Sequence, residues 1–302
     1  MKLKFAAVDI GSNAVRLLFM NVYIVNGSPV YKKDFLIRVP VRLGEDAFMD
    51  NKISKKKIEK LVKTMVAFKN LIEVNEAIDY KVCATAALRE ATNGKEVVEE
   101  VYKKSGVKIE IIDGNNEATV INSNNVISEL EDPNKNYLYI DVGGGSTEIS
   151  LFVKGKLIKS HSFSIGTLKI LNDQVEDSVW IELREMLKEF KVTYGNIYGI
   201  GSGGNINKLH KLYGNTKGKF ITLDMIKYAH ETLSSMTISD RIKELGLRPD
   251  RADVIVPAAE IHMLIMRWAG IKKIFVPKIG LSDGIIKNLY EEYVKKQMKV
   301  VV

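Results

Sequence analysis

With 302 residues, the chain is long enough for two domains that each bury a core, and its 46% apolar and 27% charged residues are those of an ordinary globular protein. The net charge of +8 and pI near 9.2 favour acidic partners, and no zinc spacing or RNA-binding aromatic motif accompanies the charge, so nucleic acid ranks below a phosphorylated small substrate. No run of about eighteen uncharged apolar residues occurs, MKLKF leads straight into a strand pattern, and the single cysteine, Cys83, cannot pair within the chain; a cytoplasmic protein is expected.

In chain order, residues 4–10, 15–25 and 30–41 read as a three-strand meander that turns at Gly11-Ser12-Asn13 and again at Asn26-Gly27. Ser54 caps a helix with Ile58, Leu61, Val62, Met65 and Phe68 on one face, and the run Lys55-Lys56-Lys57 at its start reads as a solvated face. Residues 80–84 form a short strand that buries Cys83. A helix over 93–104 is closed by Ser105-Gly106, 108–112 is a strand, and 115–130 is a helix leading to a domain boundary at 126–133. The second half repeats the order. Strands at 137–141, 147–153 and 157–163 turn at Gly143-Gly144-Gly145 and Lys154-Gly155, and a helix covers about 179–190. A strand at 197–200 then runs into Gly201-Ser202-Gly203-Gly204, followed by a helix from Asn205, a mostly helical 249–268, a strand at 274–277 and a last helix over 281–296.

The stretch YIDVGGGSTEIS, residues 139–150, carries the chemistry. Glycines allow positive φ and bring backbone N–H groups close to a ligand, which makes an anion cradle, and Asp141 at the strand end is placed to hold a divalent cation against that anion. A single such turn is equally a tight hairpin with no ligand. The chain, however, repeats it: FAAVDIGSNAV places Asp9, Gly11, Ser12 and Asn13 in the same pattern. Similarity at half the chain length points to two related domains, whose turns, facing across a cleft, would grip a polyphosphate from both sides. Glu117 follows a strand and the turn Asp113-Gly114-Asn115-Asn116 and is the candidate general base; its alternative is an acid stabilising a helix N-terminus. Read from the residues alone, Arg89 is a surface ion-pair partner on a short helix, Arg16 a brace for the strand after the first turn, and Glu148 a solvent-facing sheet residue.

The two turns look like the phosphate motifs of the actin, Hsp70 and sugar-kinase superfamily. More closely, DIGSNAVR, RLG, ATAALREA, IDGNNEA, IDVGGGSTE, GIGSGGNINKL and DRADVI together resemble the exopolyphosphatase and guanosine pentaphosphate phosphohydrolase (Ppx/GppA) family over nearly the whole chain. The resemblance implies an α/β protein of two duplicated actin-like (ribonuclease H-like) domains with a cleft between them. Domain I would cover 1–128 and domain II 129–283, with the helix at about 284–302 packing back on domain I. It implies Glu117 as catalytic glutamate, and phosphate binding by Gly11, Ser12, Asn13, Arg16, Arg89, Gly143, Gly144, Gly145, Ser146 and Thr147. Mg²⁺ or another divalent cation would be held by Asp141, Glu148 and Asp9. The substrate would be polyphosphate or guanosine pentaphosphate, with no nucleic-acid or membrane partner and a homodimer compatible. Ser282 stands where the family more often has a basic residue, and the chain ends without the helical C-terminal domains of longer members. A superfamily kinase or ATPase, and a non-catalytic sensor of (p)ppGpp or polyphosphate, are the alternatives.

Overall fold

The computed structural model describes residues 2–114, 116, 117, 120 and 132–300. The chain falls into two compact units, Met1–Asn124 with Leu281–Val302, and Asn125–Gly280. The expected helix at 115–130 and the expected boundary at 126–133 lie outside the described residues except at Asn116, Glu117, Val120, Asp132 and Pro133.

In the first unit, β1 (Lys2–Ile10), β2 (Val15–Val25) and β3 (Ser28–Val39) form the meander, and β4 (Asp79–Ala84) and β5 (Glu110–Ile111) extend it in the order β3-β2-β1-β4-β5. β1 is antiparallel to β2 and parallel to β4, and its interior residues from Phe5 to Val8 are fully buried, as a central strand covered on both faces requires. The second unit repeats the plan with β6 (Asn136–Val142), β7 (Thr147–Val153), β8 (Lys156–Phe163), β9 (Ile197–Ser202), β10 (Phe220–Thr222) and β11 (Lys273–Phe275). Its order is β10-β11-β9-β6-β7-β8, with β6 antiparallel to β7 and parallel to β9. An antiparallel meander followed by a parallel strand on its far side thus occurs twice, which is the duplicated α/β architecture expected from the repeated turn.

Helices cover the sheets. In the first unit α1 (Leu43–Met49) packs against α3 (Ala86–Glu90), and α2 (Lys55–Val74) against α4 (Gly94–Ser105). Ser54 caps α2, accepting from the Lys57 N–H, and the expected apolar face is buried at Ile58, Leu61, Val62, Met65 and Phe68. The lysine run is not wholly solvated, however. Lys57 Nζ reaches Glu45 Oε2 at 2.5 Å, Asp46 Oδ1 at 3.0 Å and the Arg42 carbonyl, so it ties α2 to α1. The expected strand at 108–112 shrinks to β5, which pairs only at Cys83 and Ala84 of β4. Burial of Cys83 pushes its thiol up to about 12.

In the second unit α5 (Thr167–Leu171), α6 (Asp177–Tyr194), α7 (Gly204–Tyr213), α8 (Leu223–Ser235), α9 (Ile238–Lys243), α10 (Pro249–Ala252) and α11 (Ile255–Ala269) pack around its sheet. The mostly helical stretch 249–268 is built of α10 and α11, with Pro249 at the first helical position of α10, where its missing N–H costs nothing. α12 (Leu281–Val300) belongs to the first unit and packs on β1 edge-on through Phe5, whose ring lies 6.2 Å from that of Tyr290 and 5.9 Å from that of Tyr293. Among the described residues no helix is long and apolar enough to cross a membrane.

α11 buries one titratable group. His262 is fully buried, and its Nδ1 donates to the Ala258 carbonyl at 2.7 Å. Burial, only partly offset by that hydrogen bond, pushes its pKa down to about 4. A folded pKa below the unfolded value of about 6.5 means the unfolded chain takes up the proton first, so stability is present above pH 6.5 and is lost as pH falls towards 4, by roughly 3 kcal/mol in all. Urea unfolding of His262→Leu should show a much flatter pH dependence across that window than the wild type; an identical slope would assign the loss to other groups.

Candidate functional site

Both meanders make their first turn in the same way. Gly11 N–H donates to the Ala14 carbonyl at 3.2 Å, and Gly143 N–H to the Ser146 carbonyl at 2.9 Å. A helix then docks on each turn. Arg42 N–H donates to Asn13 O at 3.0 Å and Gly44 N–H to Ser12 O at 2.8 Å; in the second unit, Thr167 N–H donates to Gly143 O at 3.1 Å and Leu168 N–H to Gly144 O at 2.9 Å. The N–H of a trans peptide points opposite to its C=O. With the carbonyls of Gly143 and Gly144 drawn onto α5, the N–H groups of Gly144 and Gly145 point the other way, and among the described residues no backbone acceptor takes them. Two parallel amide donors on one side of a turn are an anion site.

The glycines serve this geometry by smallness rather than by handedness. None of Gly11, Gly143, Gly144 and Gly145 has positive φ. A Cβ on Gly143 would lie 3.1 Å from the Ser146 carbonyl, and one on Gly166, the residue before α5, would overlap the carbonyl of Gly144 and the nitrogen of Gly145. Gly166→Ala should therefore cost roughly 1–3 kcal/mol of stability and weaken binding of a non-hydrolysable polyphosphate. Gly155→Ala, at a φ of 76° in the hairpin turn after β7, should lose stability alone. Equal affinity losses in the two variants would count against the cradle.

The two copies differ in the residue facing the acid. Asp9 on β1 is in register with Arg16 on β2, and Arg16 Nη1 lies 2.6 Å from Asp9 Oδ2. Asp141 on β6 is in register with Glu148 on β7. Directly opposed residues share one face of a sheet, and like charges there repel. Hydroxyls surround this acid pair. Glu148 Oε1 accepts from Ser146 at 2.7 Å and Ser162 at 2.8 Å, and Ser202 Oγ lies 3.0 Å from Asp141 Oδ2 and 2.7 Å from the Ile279 carbonyl, its one proton serving one acceptor at a time. Gly203, at φ 102°, brings its backbone against the same acid: a Cβ there would be 2.9 Å from Asp141 Oδ1.

Among the described residues no three His, Cys, Asp or Glu converge on a metal position. Two carboxylates backed by hydroxyls, with phosphate oxygens and water completing the shell, are the donor set that Mg²⁺ takes, so Asp141 and Glu148 fit the expected cation. Asp9 lies in the other unit and is engaged by Arg16. Thr147 is fully buried and donates to the Ile165 carbonyl at 2.6 Å, so its hydroxyl braces the strand.

Asn116 and Glu117 have helical backbone, and Asp113 Oδ1 accepts from the Asn116 N–H at 2.8 Å. The Glu117 carboxylate, mostly buried, sits 3.5 Å from Arg89 Nη1, which also donates to the Ile112 carbonyl at 2.9 Å. The structure thus brings together the expected base and the expected phosphate arginine as an ion pair. Sequence reasoning missed Ser202, whose only signal was its place in the third glycine cluster, and Gly166-Thr167-Leu168, which carry no motif that propensity would mark.

The Ppx/GppA phosphatase family model matches residues 35–292. Over 95% of its length the chain is 30% identical to a bifunctional 3-dehydroquinate synthase/phosphatase of Fusobacterium nucleatum, spanning 46% of that protein. It is 24% identical to exopolyphosphatase 1 of Mycobacterium leprae, with 94% of the chain and 88% of the relative aligned. It is also 24% identical to a guanosine-5'-triphosphate,3'-diphosphate pyrophosphatase of Aeromonas hydrophila, with 94% and 59% aligned. The crystal structure of an exopolyphosphatase from Cytophaga hutchinsonii superposes with a TM-score of 0.82 at 19% identity, over 96% of this chain and 98% of that one, and shares its fold. Two units built on one plan, each with an amide-lined turn at the end of an acid-tipped strand, and a family match across most of the chain together place this protein in the Ppx/GppA phosphatase family.

Proposed function

We propose that the protein is a phosphoanhydride hydrolase that releases the terminal phosphate of inorganic polyphosphate or guanosine pentaphosphate with Mg²⁺. The observation that carries the reading is the end of β6, where the outward N–H groups of Gly144 and Gly145 stand beside the opposed acids Asp141 and Glu148. Donors for an anion next to donors for a cation suit a metal-bound phosphate. The related exopolyphosphatase and pyrophosphatase support that substrate class, and the kinase and sensor alternatives gain no support from them.

Loss of a terminal phosphoryl group needs its charge neutralised, its position fixed and a water aimed at it. When bound, Mg²⁺ would supply charge neutralisation on the phosphate oxygens. Gly144 and Gly145 orient the phosphate through their N–H groups. Ser202 fixes the Asp141 carboxylate, while Ser146 and Ser162 fix that of Glu148. Arg89 holds the Glu117 carboxylate in place, and Glu117 takes the proton from the attacking water. The test is phosphate release by the purified protein from tripolyphosphate, long polyphosphate, guanosine pentaphosphate and ATP, with Mg²⁺ and with EDTA. Metal-dependent release from the first three well above that from ATP is expected; no release from any of them contradicts the reading.

A further inference from the structure

We infer that Arg42 is a positioning residue for the first turn, and that it acts through its left-handed backbone rather than its guanidinium. The inference rests on the hydrolase reading above and on the phosphate role expected of Gly11-Ser12-Asn13. Arg42 stands just before α1 with φ 58° and ψ 47°. Among the described residues no other non-glycine residue just before a helix has positive φ, and such a conformation persists only where its surroundings over-determine it. Here they do. Arg42 N–H donates to Asn13 O at 3.0 Å, and the Arg42 carbonyl accepts from Lys57 Nζ. Lys57 also reaches Glu45 Oε2 and Asp46 Oδ1, and Arg42 Nε donates to Glu45 Oε1, so the Arg42 side chain is turned onto α1.

The second copy shows what the left-handed residue achieves. There the residue before α5, Gly166, is extended, at φ −141°, and the next two N–H groups, of Thr167 and Leu168, take the Gly143 and Gly144 carbonyls in chain order. In the first copy the order is reversed and the donors are two residues apart: Arg42 N–H takes Asn13 O, and Gly44 N–H takes Ser12 O at 2.8 Å. A positive φ at Arg42 swings the following peptide back towards the turn, where an extended residue would carry the chain onward.

The engaged carbonyls therefore fall one residue later than in the second copy. With Asp9 aligned on Asp141, Gly143 and Gly144 correspond to Gly11 and Ser12, whereas the segment at Arg42 takes Ser12 and Asn13. The N–H of a trans peptide points opposite to its C=O, so the amides aimed away from α1 are those of Asn13 and Ala14, and among the described residues no backbone acceptor takes that of Ala14. Ala14, whose side chain carries no polar atom, thus joins the donors of the turn. Arg42 sets their direction: without its left-handed turn the Ser12 and Asn13 carbonyls would lose their donors, and both amides their aim.

Equilibrium binding of methylene-bridged tripolyphosphate, which cannot be hydrolysed, tests this with Mg²⁺ present and circular dichroism monitoring the fold. Arg42→Gly removes the guanidinium and takes positive φ at no steric cost, and should bind like wild type. Arg42→Val, a β-branched residue strongly disfavoured at positive φ, should bind about tenfold more weakly, the loss of one charge-assisted contact. Lys57→Met, which unpins the Arg42 carbonyl, should fall between the two. Arg42→Gly as weak as Arg42→Val would place the effect in the side chain and overturn the assignment, as would Arg42→Val equal to wild type or a wild type that does not bind. If the affinities rank as expected yet wild type releases no phosphate from tripolyphosphate, the positioning role stands and the hydrolase reading fails.

Discussion

Glu117→Gln should lower single-turnover phosphate release by about 10²- to 10⁴-fold, the usual contribution of proton transfer by a positioned side chain. The substitution keeps the shape of a group that is mostly buried and removes its basicity. The Arg89 guanidinium, 3.5 Å away, still has the Ile112 carbonyl as a partner, so the segment keeps its anchor. Equilibrium binding of a non-hydrolysable polyphosphate should change little, which separates loss of a base from loss of a binding residue. Turnover equal to wild type would move the base elsewhere, with Glu148 the next acid to test.

Asp141→Asn has the second large effect. Losing a hydrogen-bond partner of a metal ligand typically costs about 10- to 100-fold in affinity or activity, and losing a ligand's own charge should cost at least as much. The variant is informative because its stability is expected to move the other way. Asp141 faces Glu148 across β6 and β7, and like charges so placed are destabilising, so a neutral amide relieves roughly 0.2–1 kcal/mol of repulsion. Turnover falling steeply while the melting temperature holds or rises, with the Mg²⁺ requirement shifted to higher concentration, is the expected pattern. An Asp141→Asn enzyme that works at the wild-type Mg²⁺ concentration would remove the acid from the cation site.

Much of this was legible in the chain because the meanders announce themselves. An alternating strand, a short Gly/Ser turn and another alternating strand occur twice, and with β1 ending at Ile10 and β2 starting at Val15, the register that pairs Asp9 with Arg16 follows. What that register does to chemistry was not read: it gives the first acid a counter-charge and leaves the second facing another acid. Elements of five to seven residues, such as α1 and α5, bury too few side chains to show a period, yet their N–H groups set the direction of the turn peptides. α8 was missed despite Thr222, which caps it by accepting from the Met225 N–H at 3.2 Å.

The central claim is that water attacks a terminal phosphoanhydride with the help of this chain's acids. Its most direct test is phosphate release from tripolyphosphate in oxygen-18 water, read by mass spectrometry with Mg²⁺ and with EDTA. In-line attack by water on the terminal phosphorus places a single labelled oxygen in each phosphate released. Singly labelled phosphate is expected from wild type with Mg²⁺, none above background in EDTA, and none above background from Glu117→Gln on the same timescale. Unlabelled phosphate, labelled release that ignores EDTA, or no release from wild type would contradict it.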